Sequence, residues 1–325
     1  MIESILVDTL VTGLPLLPAF LGIYLILRIR EDFDLTVEGS FALGGAVTAV
    51  AITGGVPAWL ALLAGVAAGS LAGLMTALLN LLLRIPVLLG GLVMSMGLFT
   101  ITLRVLGMPT VSLIGADTIF SSIAPAPGRG ADLAMSALLA VIIAVVFTAF
   151  ALFLKTDLGL SLRASGVNVR MVRSQGVNDR ALLVLSLMVS NGLTALSGGL
   201  LTQVQGFADV NMGVGTFVAG AGAVLLGVLL LNPGGSNVVR IVLAVIVGGL
   251  IYRFILVAAL RAGLPAGDLK GITALTLVAA VAAQAYLAPA LARYRIRWGV
   301  SRRSAPPPPP PAPIPTATEL EARHA

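Results

Sequence analysis

Nine apolar runs dominate this chain, and they leave little room for a water-soluble fold. They fall at about residues 6–27, 36–54, 57–82, 86–106, 134–154, 181–205, 214–231, 237–260 and 271–291. A bilayer core is about 30 Å thick and takes roughly 20 apolar residues per helix. The composition agrees: 58% of the 325 residues are hydrophobic and 10% charged, with a mean hydropathy of +1.04. A soluble domain is nearer 45–50% apolar and about 25% charged. Charge is too sparse to coat a globule of this size, so lipid must cover much of the surface. The expected fold is an all-α integral membrane protein, a polytopic bundle of about 8–10 transmembrane helices. The second and seventh runs are the weakest spans, because both are glycine-rich.

Several chemistries are excluded at once. There is no cysteine, and the one histidine, His324, sits beside the C-terminus. Thiolate metal sites, disulfides and cysteine nucleophiles are therefore absent, and no metal site is expected. No Ser–His pair, paired Asp or His/Glu constellation marks an intramembrane enzyme. The net charge of +6 reads as membrane topology, not nucleic-acid binding, because the basic residues cluster at helix ends. The N-terminus, MIESILVD, lacks the positive segment and small-residue cleavage site of a secretory signal, so it reads as a retained first span.

Lys and Arg set the expected orientation. Lys155, Arg163, Arg170, Arg173 and Arg180 lie in the loop 155–180, and Arg293, Arg295, Arg297, Arg302 and Arg303 in the tail. Both belong in the cytoplasm, and the even number of spans between them is consistent with that. The expected division is a membrane domain, 1–292, and a basic, Pro-rich cytoplasmic tail, 293–325. The tail from Pro306 is expected to be a solvated polyproline segment.

The stretch 34–47, DLTVEGSFALGGAV, places a carboxylate and three glycines at the mouth of a span, and it has an echo. Residues 39–47 read GSFALGGAV and residues 215–224 read GTFVAGAGAV. An odd number of spans separates the copies, so they enter the membrane from opposite sides. Inverted repeats with short, glycine-interrupted spans at matching places mark transport pathways. Glu38, Ser40, Phe41, Thr216 and Phe217 are thus pathway candidates, together with Asn191 near the middle of its span. Glu38 has a second reading, at the water interface, since an ionised carboxylate at mid-membrane costs at least about 2.5–3.5 kcal/mol. Asn191 has one too, as an interhelical hydrogen-bonding group. Arg253 is the basic residue well inside a span, and the sequence names no partner for it.

The stretch 156–183, TDLGLSLRASGVNVRMVRSQGVNDRALL, is too polar to span and too apolar for a plain linker. Gly166 and Gly176 bracket enough chain for a short helix lying across the membrane face. The order T-x-L-G-x-x-x-R-A-x-G-x-N, then G-V, then N-G-x-x-A-L-S-G-G-L, resembles the permeases of ABC importers for branched-chain amino acids, ribose and related sugars. The matching residues are Thr156, Leu158, Gly159, Arg163, Ala164, Gly166, Asn168, Gly176, Val177, Asn191, Gly192, Ala195, Leu196, Ser197, Gly198 and Gly199. The segment 34–47 resembles a subgroup for which aromatic amino-acid substrates are suspected. Where many relatives carry two alanines after the Asn, this chain has Val169, Arg170, Met171 and Val172.

The resemblance, over roughly residues 10–295, implies pseudo-two-fold related halves, a bacterial inner-membrane location and a non-catalytic role. It also implies two permease copies, or a copy and a paralogue, framing one pathway. Arg163, Gly166, Asn168, Arg170, Arg173, Gly176 and Val177 would form the coupling element seated on a separate ATPase. No G-x-x-x-x-G-K-[ST] occurs, so ATP and Mg²⁺ belong on that partner, and no cofactor is expected on this chain. A periplasmic binding protein would deliver a small polar solute, an amino acid being favoured. The rival is an ion-coupled secondary transporter, which would use intramembrane carboxylates; Glu38 is the candidate, and Asp209 falls in a loop.

Overall fold

The computed structural model describes residues 2–121, 129–231 and 238–297. The chain divides into two compact units at residues 285 and 286, and the Pro-rich tail lies outside the described residues. Helices account for almost all regular structure. In the order of the chain they are α1 (Ile2–Gly13), α2 (Leu17–Tyr24), α3 (Thr36–Thr53), α4 (Ala58–Leu83), α5 (Val87–Leu106), α6 (Arg129–Lys155), α7 (Asp157–Val167), α8 (Val169–Ser174), α9 (Asp179–Gln205), α10 (Thr216–Leu231), α11 (Val238–Arg261) and α12 (Leu269–Arg297). Strands β1 (Thr110–Ser112) and β2 (Phe207–Asp209) form an antiparallel pair. That pair ties together the ends of α5 and α9.

Eight segments among the described residues are long and apolar enough to cross a membrane. The ninth expected span is α10, which has only 16 residues. The first span is continuous but irregular: Pro15 and Pro18 each open a new helical stretch after α1, and residues Leu25–Arg30 widen into a π-helix. Proline cannot donate the amide a continuing helix needs, so breaks at these two positions follow. Large apolar side chains such as Leu63, Val93, Val141, Val145 and Leu152 remain exposed, as expected of a surface that lipid covers.

Small residues set how closely the helices approach. Gly65, Gly69 and Gly73, four apart on α4, face the backbones of Gly44, Asn191 and Leu187. No Cβ fits at Gly69 or Gly73. Gly44 of α3 lies equally close to the Ala195 backbone. In the second half Gly227 of α10 meets Ala244 of α11, and Gly248 of α11 meets Ala223.

These contacts fix directions. Ser40 pairs with Asn191 and Gly44 with Ala195, so α3 runs parallel to α9. Ser190 bonds to Gly22 and Ser197 to Pro15, so the first span runs antiparallel to α9. Gly13 meets Arg253 and Gly249 meets Phe20, so α11 opposes the first span. Contacts of Gly227 and Gly248 make α10 oppose α11. Helix α10 therefore runs against α3, the inverted relation expected of the two copies. The halves also exchange partners: α9 packs on α3 and α4, while the first span packs on α10 and α11.

Candidate functional site

The inverted copies meet. Asn191 lies twelve residues, about 18 Å, beyond Asp179 on the 27-residue α9, close to its middle. Helix α3 begins level with it, since Ser40 Oγ donates to Asn191 Oδ1 at 2.7 Å. Helix α10 begins at the same level. The backbone N–H of Gly215 donates to Glu38 Oε1 at 3.1 Å, and that of Phe217 also bonds the Glu38 carboxylate. Two helices thus start back to back at mid-height and run to opposite faces. Their leading segments, 31–35 and 210–215, are non-helical; Asp34, Val210 and Gly213 are buried, while Phe33 and Val214 are exposed, and irregular backbone at membrane depth is tolerated beside protein or a cavity.

Glu38 therefore sits at the junction, away from the Arg30 face. An uncapped helix start exposes N–H groups and a partial positive charge, and Glu38 of one copy supplies the anion to the start of the other. The Gly213 position must be glycine for this, because a Cβ there would overlap the Glu38 carbonyl.

Asn191 is fully buried and hydrogen-bonded between helices. Its Nδ2 donates to Asp34 Oδ2 at 2.7 Å and to the Leu187 carbonyl at 2.9 Å. Asp34, 1% exposed, also accepts from the Thr36 N–H at 2.9 Å, and Thr36 Oγ1 shares a 2.7 Å hydrogen bond with Thr76 Oγ1 of α4. The network joins α3, α4 and α9 just below the junction. Ser40 and Asn191 line neither cavity beside it. Sequence reasoning passed over Asp34, although an Asp two residues before a Thr at a helix start is an Asx-turn signal.

Two cavities flank the junction, with Val214 in the wall of both. One, about 280 Å³, opens beside Glu38, Gly39, Ala42, Ser95 and Phe99. The other, about 420 Å³, lies among α2, α10, α11 and α12 and includes Phe41 and Thr216 in its lining. Of the pathway candidates, Glu38, Phe41 and Thr216 border open space. Phe217 is half-buried, and its role here is the amide bonded to Glu38.

The stretch 156–178 is not an open loop with one short helix. It forms two helices, α7 and α8, broken at Asn168, whose Oδ1 accepts the Met171 N–H at 3.0 Å and so caps α8. Capping by Asn at an N-terminus explains the break. Gly166 lies inside α7, where a Cβ would overlap the Ile29 carbonyl; it is a contact point with the first span. Gly176 takes a left-handed φ of +79°, which glycine adopts freely. Arg163 and Val177 are half-buried, and Arg170 is exposed.

Behind this elbow lies an ion-pair cluster centred on the buried Arg30–Asp179 pair. Arg30 Nη1 reaches Asp179 Oδ1 at 2.7 Å and Ser165 Oγ at 2.8 Å. Arg30 Nε pairs with Asp32 at 3.2 Å, and Arg173 Nη2 with Asp179 Oδ2 at 3.2 Å. Burial pushes the Asp32 carboxyl above the usual carboxylate range, with Arg30 opposing. The elbow is thereby fixed to both the first span and α9. Neither Arg30 nor Asp179 was legible as a partner, since 149 residues separate them.

A polytopic bundle with inverted half-helices meeting at mid-height, glycine-packed and flanked by cavities, is the architecture of a membrane transporter. Residues 5–288 match the family described as branched-chain amino acid transport system / permease component, and the chain belongs to that family. It is 34% identical over 262 residues to a tyrosine transport system permease protein of Clostridioides difficile, covering 81% of this chain and 85% of that one. It is 33% identical over 276 residues to an uncharacterised protein of Rickettsia prowazekii, covering 84% and 95%. A galactofuranose transporter permease protein of Escherichia coli is 27% identical over 265 residues, covering 80% and 73%. No solved structure matches the chain significantly.

Proposed function

We propose that this permease is the membrane subunit of an ABC importer for an amino acid or similar small polar solute. A soluble periplasmic binding protein delivers the solute, and a separate ATPase drives transport. The Arg30 face is cytoplasmic on this reading, with the C-terminal tail on that side of the inner membrane. A second copy or paralogue completes the pathway. The observation that carries the reading is the α7–α8 elbow, exposed at Arg170 and pinned by Arg173, Asp179 and Arg30 to the first span and α9. Force applied at α8 moves two helices that contact the junction, Ser190 and Ser197 of α9 bonding Gly22 and Pro15. Such a device needs two arrangements a few kcal/mol apart that partners can bias. The relative named for tyrosine transport favours an amino acid.

The test is reconstitution of the permease with its genomically adjacent ATPase and binding protein in proteoliposomes. ATP-dependent uptake is expected. Uptake of the same solute by the permease alone, driven by a proton or sodium gradient, would overturn the reading in favour of a secondary transporter.

A further inference from the structure

A third cavity, about 300 Å³, opens on the Arg30 face, away from the junction. Four span ends surround it: Arg30 closes the first span, Leu81 lies near the end of α4, Val87 opens α5, and Asp179 and Arg180 open α9. The cavity thus lies at the level where helices leave the membrane core. Leu82 and Leu83, just before Arg84, and Leu88 and Leu89, just after Val87, are exposed, so apolar surface adjoins it.

Its charge is unbalanced. Arg30, Arg84, Arg173 and Arg180 line it together with Asp32 and Asp179, four positive charges against two negative. Both carboxylates are already engaged. Asp179 is held by Arg30 at 2.7 Å and by Arg173 at 3.2 Å, and Asp32 by Arg30 at 3.2 Å. Arg84 and Arg180 are exposed and form no ion pair among the described residues, so they carry the surplus. Arg84 also ends α4 with a left-handed φ of +57°, at the kind of position glycine usually fills. Asn80 Nδ2 holds that turn by donating to the Ile85 carbonyl at 2.8 Å. A guanidinium kept where glycine would be less strained points to a use for the side chain.

Arginine forks match phosphate oxygens, and basic pockets between spans suit anionic lipid headgroups. We propose that this cavity binds the phosphate headgroup of an anionic phospholipid. Arg84 and Arg180 hold the phosphate, and the acyl chains lie along the exposed leucines of α4 and α5. A bound headgroup ties the α4–α5 turn to the start of α9, beside the elbow. The site is independent of how transport is driven.

The test uses the full-length permease, stripped of lipid in a neutral detergent and titrated at constant ionic strength. The probes are phosphatidylglycerol, phosphatidylcholine and inorganic phosphate. Retained lipid is counted by native mass spectrometry, and affinity is read from the rise in unfolding temperature. Phosphatidylglycerol is expected to bind and stabilise, and the other two to do neither at the same concentration. Arg84→Gly and Arg180→Gln are each expected to weaken phosphatidylglycerol binding about fivefold, and the double variant about 25-fold. Arg84→Gly suits the left-handed turn, so it is expected to unfold no earlier than wild type in the absence of lipid. Arg104→Gln removes a charge at the far end of α5 and is expected to leave binding unchanged. Equal stabilisation by phosphatidylcholine or by inorganic phosphate overturns the proposal, as does wild-type affinity in the double variant. Equal weakening by Arg104→Gln overturns it in favour of diffuse surface charge. Loss of ATPase recovery in Arg84→Gly, with phosphatidylglycerol binding intact, overturns it by giving the cavity to a protein partner.

Discussion

Arg30 and Asp179 stand 149 residues apart in sequence, yet their charged groups meet at 2.7 Å with side chains only 7% and 9% exposed. The pair closes the gap between the end of the first span and the start of α9, and Ser165 and Arg173 bind α7 and α8 to the same two charges. A surface ion pair contributes about 0–1 kcal/mol. A buried one behaves differently, because breaking it strands a charge out of water, at about 3–5 kcal/mol.

Asp179→Leu is therefore expected to lower the unfolding temperature of the purified permease more than any exposed substitution on the elbow. The double variant Arg30→Met with Asp179→Leu removes both buried charges and is expected to recover part of that loss. Asp32, with its side chain 34% exposed, tolerates losing Arg30. Thermal unfolding of the two single variants and the double completes the cycle. Strictly additive losses would show that the charges do not act as a pair.

Glu38 makes a graded prediction. Glutamine in its place keeps an acceptor oxygen for the Gly215 N–H but loses the charge facing the start of α10, at about 0.3–2 kcal/mol. Alanine leaves the part-buried N–H groups of Gly215 and Phe217 without this acceptor, at about 1–3 kcal/mol. Uptake in reconstituted vesicles is expected to fall in the order wild type, Glu38→Gln, Glu38→Ala, and stability to follow it. Identical behaviour of the three would place Glu38 outside the mechanism.

Helix packing yields a contrast between two glycines. Gly69→Leu drives a side chain into the Asn191 carbonyl and the Ala195 methyl, so α4 and α9 must separate and the Asp34–Asn191 network open. Overpacking of this kind costs about 1–3 kcal/mol or more. A Cβ added at Gly97 of α5 would meet only open space, so Gly97→Ala is expected to be neutral or to stabilise by about 0.5–1 kcal/mol. Size-exclusion profiles and unfolding temperatures separate the two outcomes. A well-behaved Gly69→Leu would show that close approach at α4 is dispensable.

The pattern of these residues explains what the sequence could reveal. Apolar runs report spans because a helix must satisfy its own backbone in lipid, so all nine segments were legible, including the short α10. The GSF and GTF copies were legible as a repeat because glycine, hydroxyl and Phe recur in order. Their meeting was not, because Glu38 reaches Gly215 across 177 residues and only the fold sets that distance. Asn191 could be seen as polar at mid-span, but whether it faced a cavity or Ser40 and Asp34 depended on helix rotation. Gly166 looked like a loop residue and proved to be a contact point, since glycine serves both uses and carries no mark of which.

The elbow itself is tested by two arginines that differ in one respect. Arg170 is exposed and belongs to no ion pair among the described residues, whereas Arg173, its side chain 63% exposed, still reaches Asp179 at 3.2 Å. Arg170→Glu should leave the permease as stable as wild type while reducing ATPase recovered in a pull-down at physiological salt. Screening there leaves only charges within about 8 Å effective, so the loss reports direct contact. Arg173→Glu should reduce recovery too, and should also destabilise the isolated permease by about 1 kcal/mol, because it sets a second carboxylate beside Asp179. Arg173→Met separates the two contributions, losing the pair without adding repulsion. Full recovery of the ATPase by the variant carrying Glu at both 170 and 173 would remove α8 from the interface, and with it the route by which force enters the bundle.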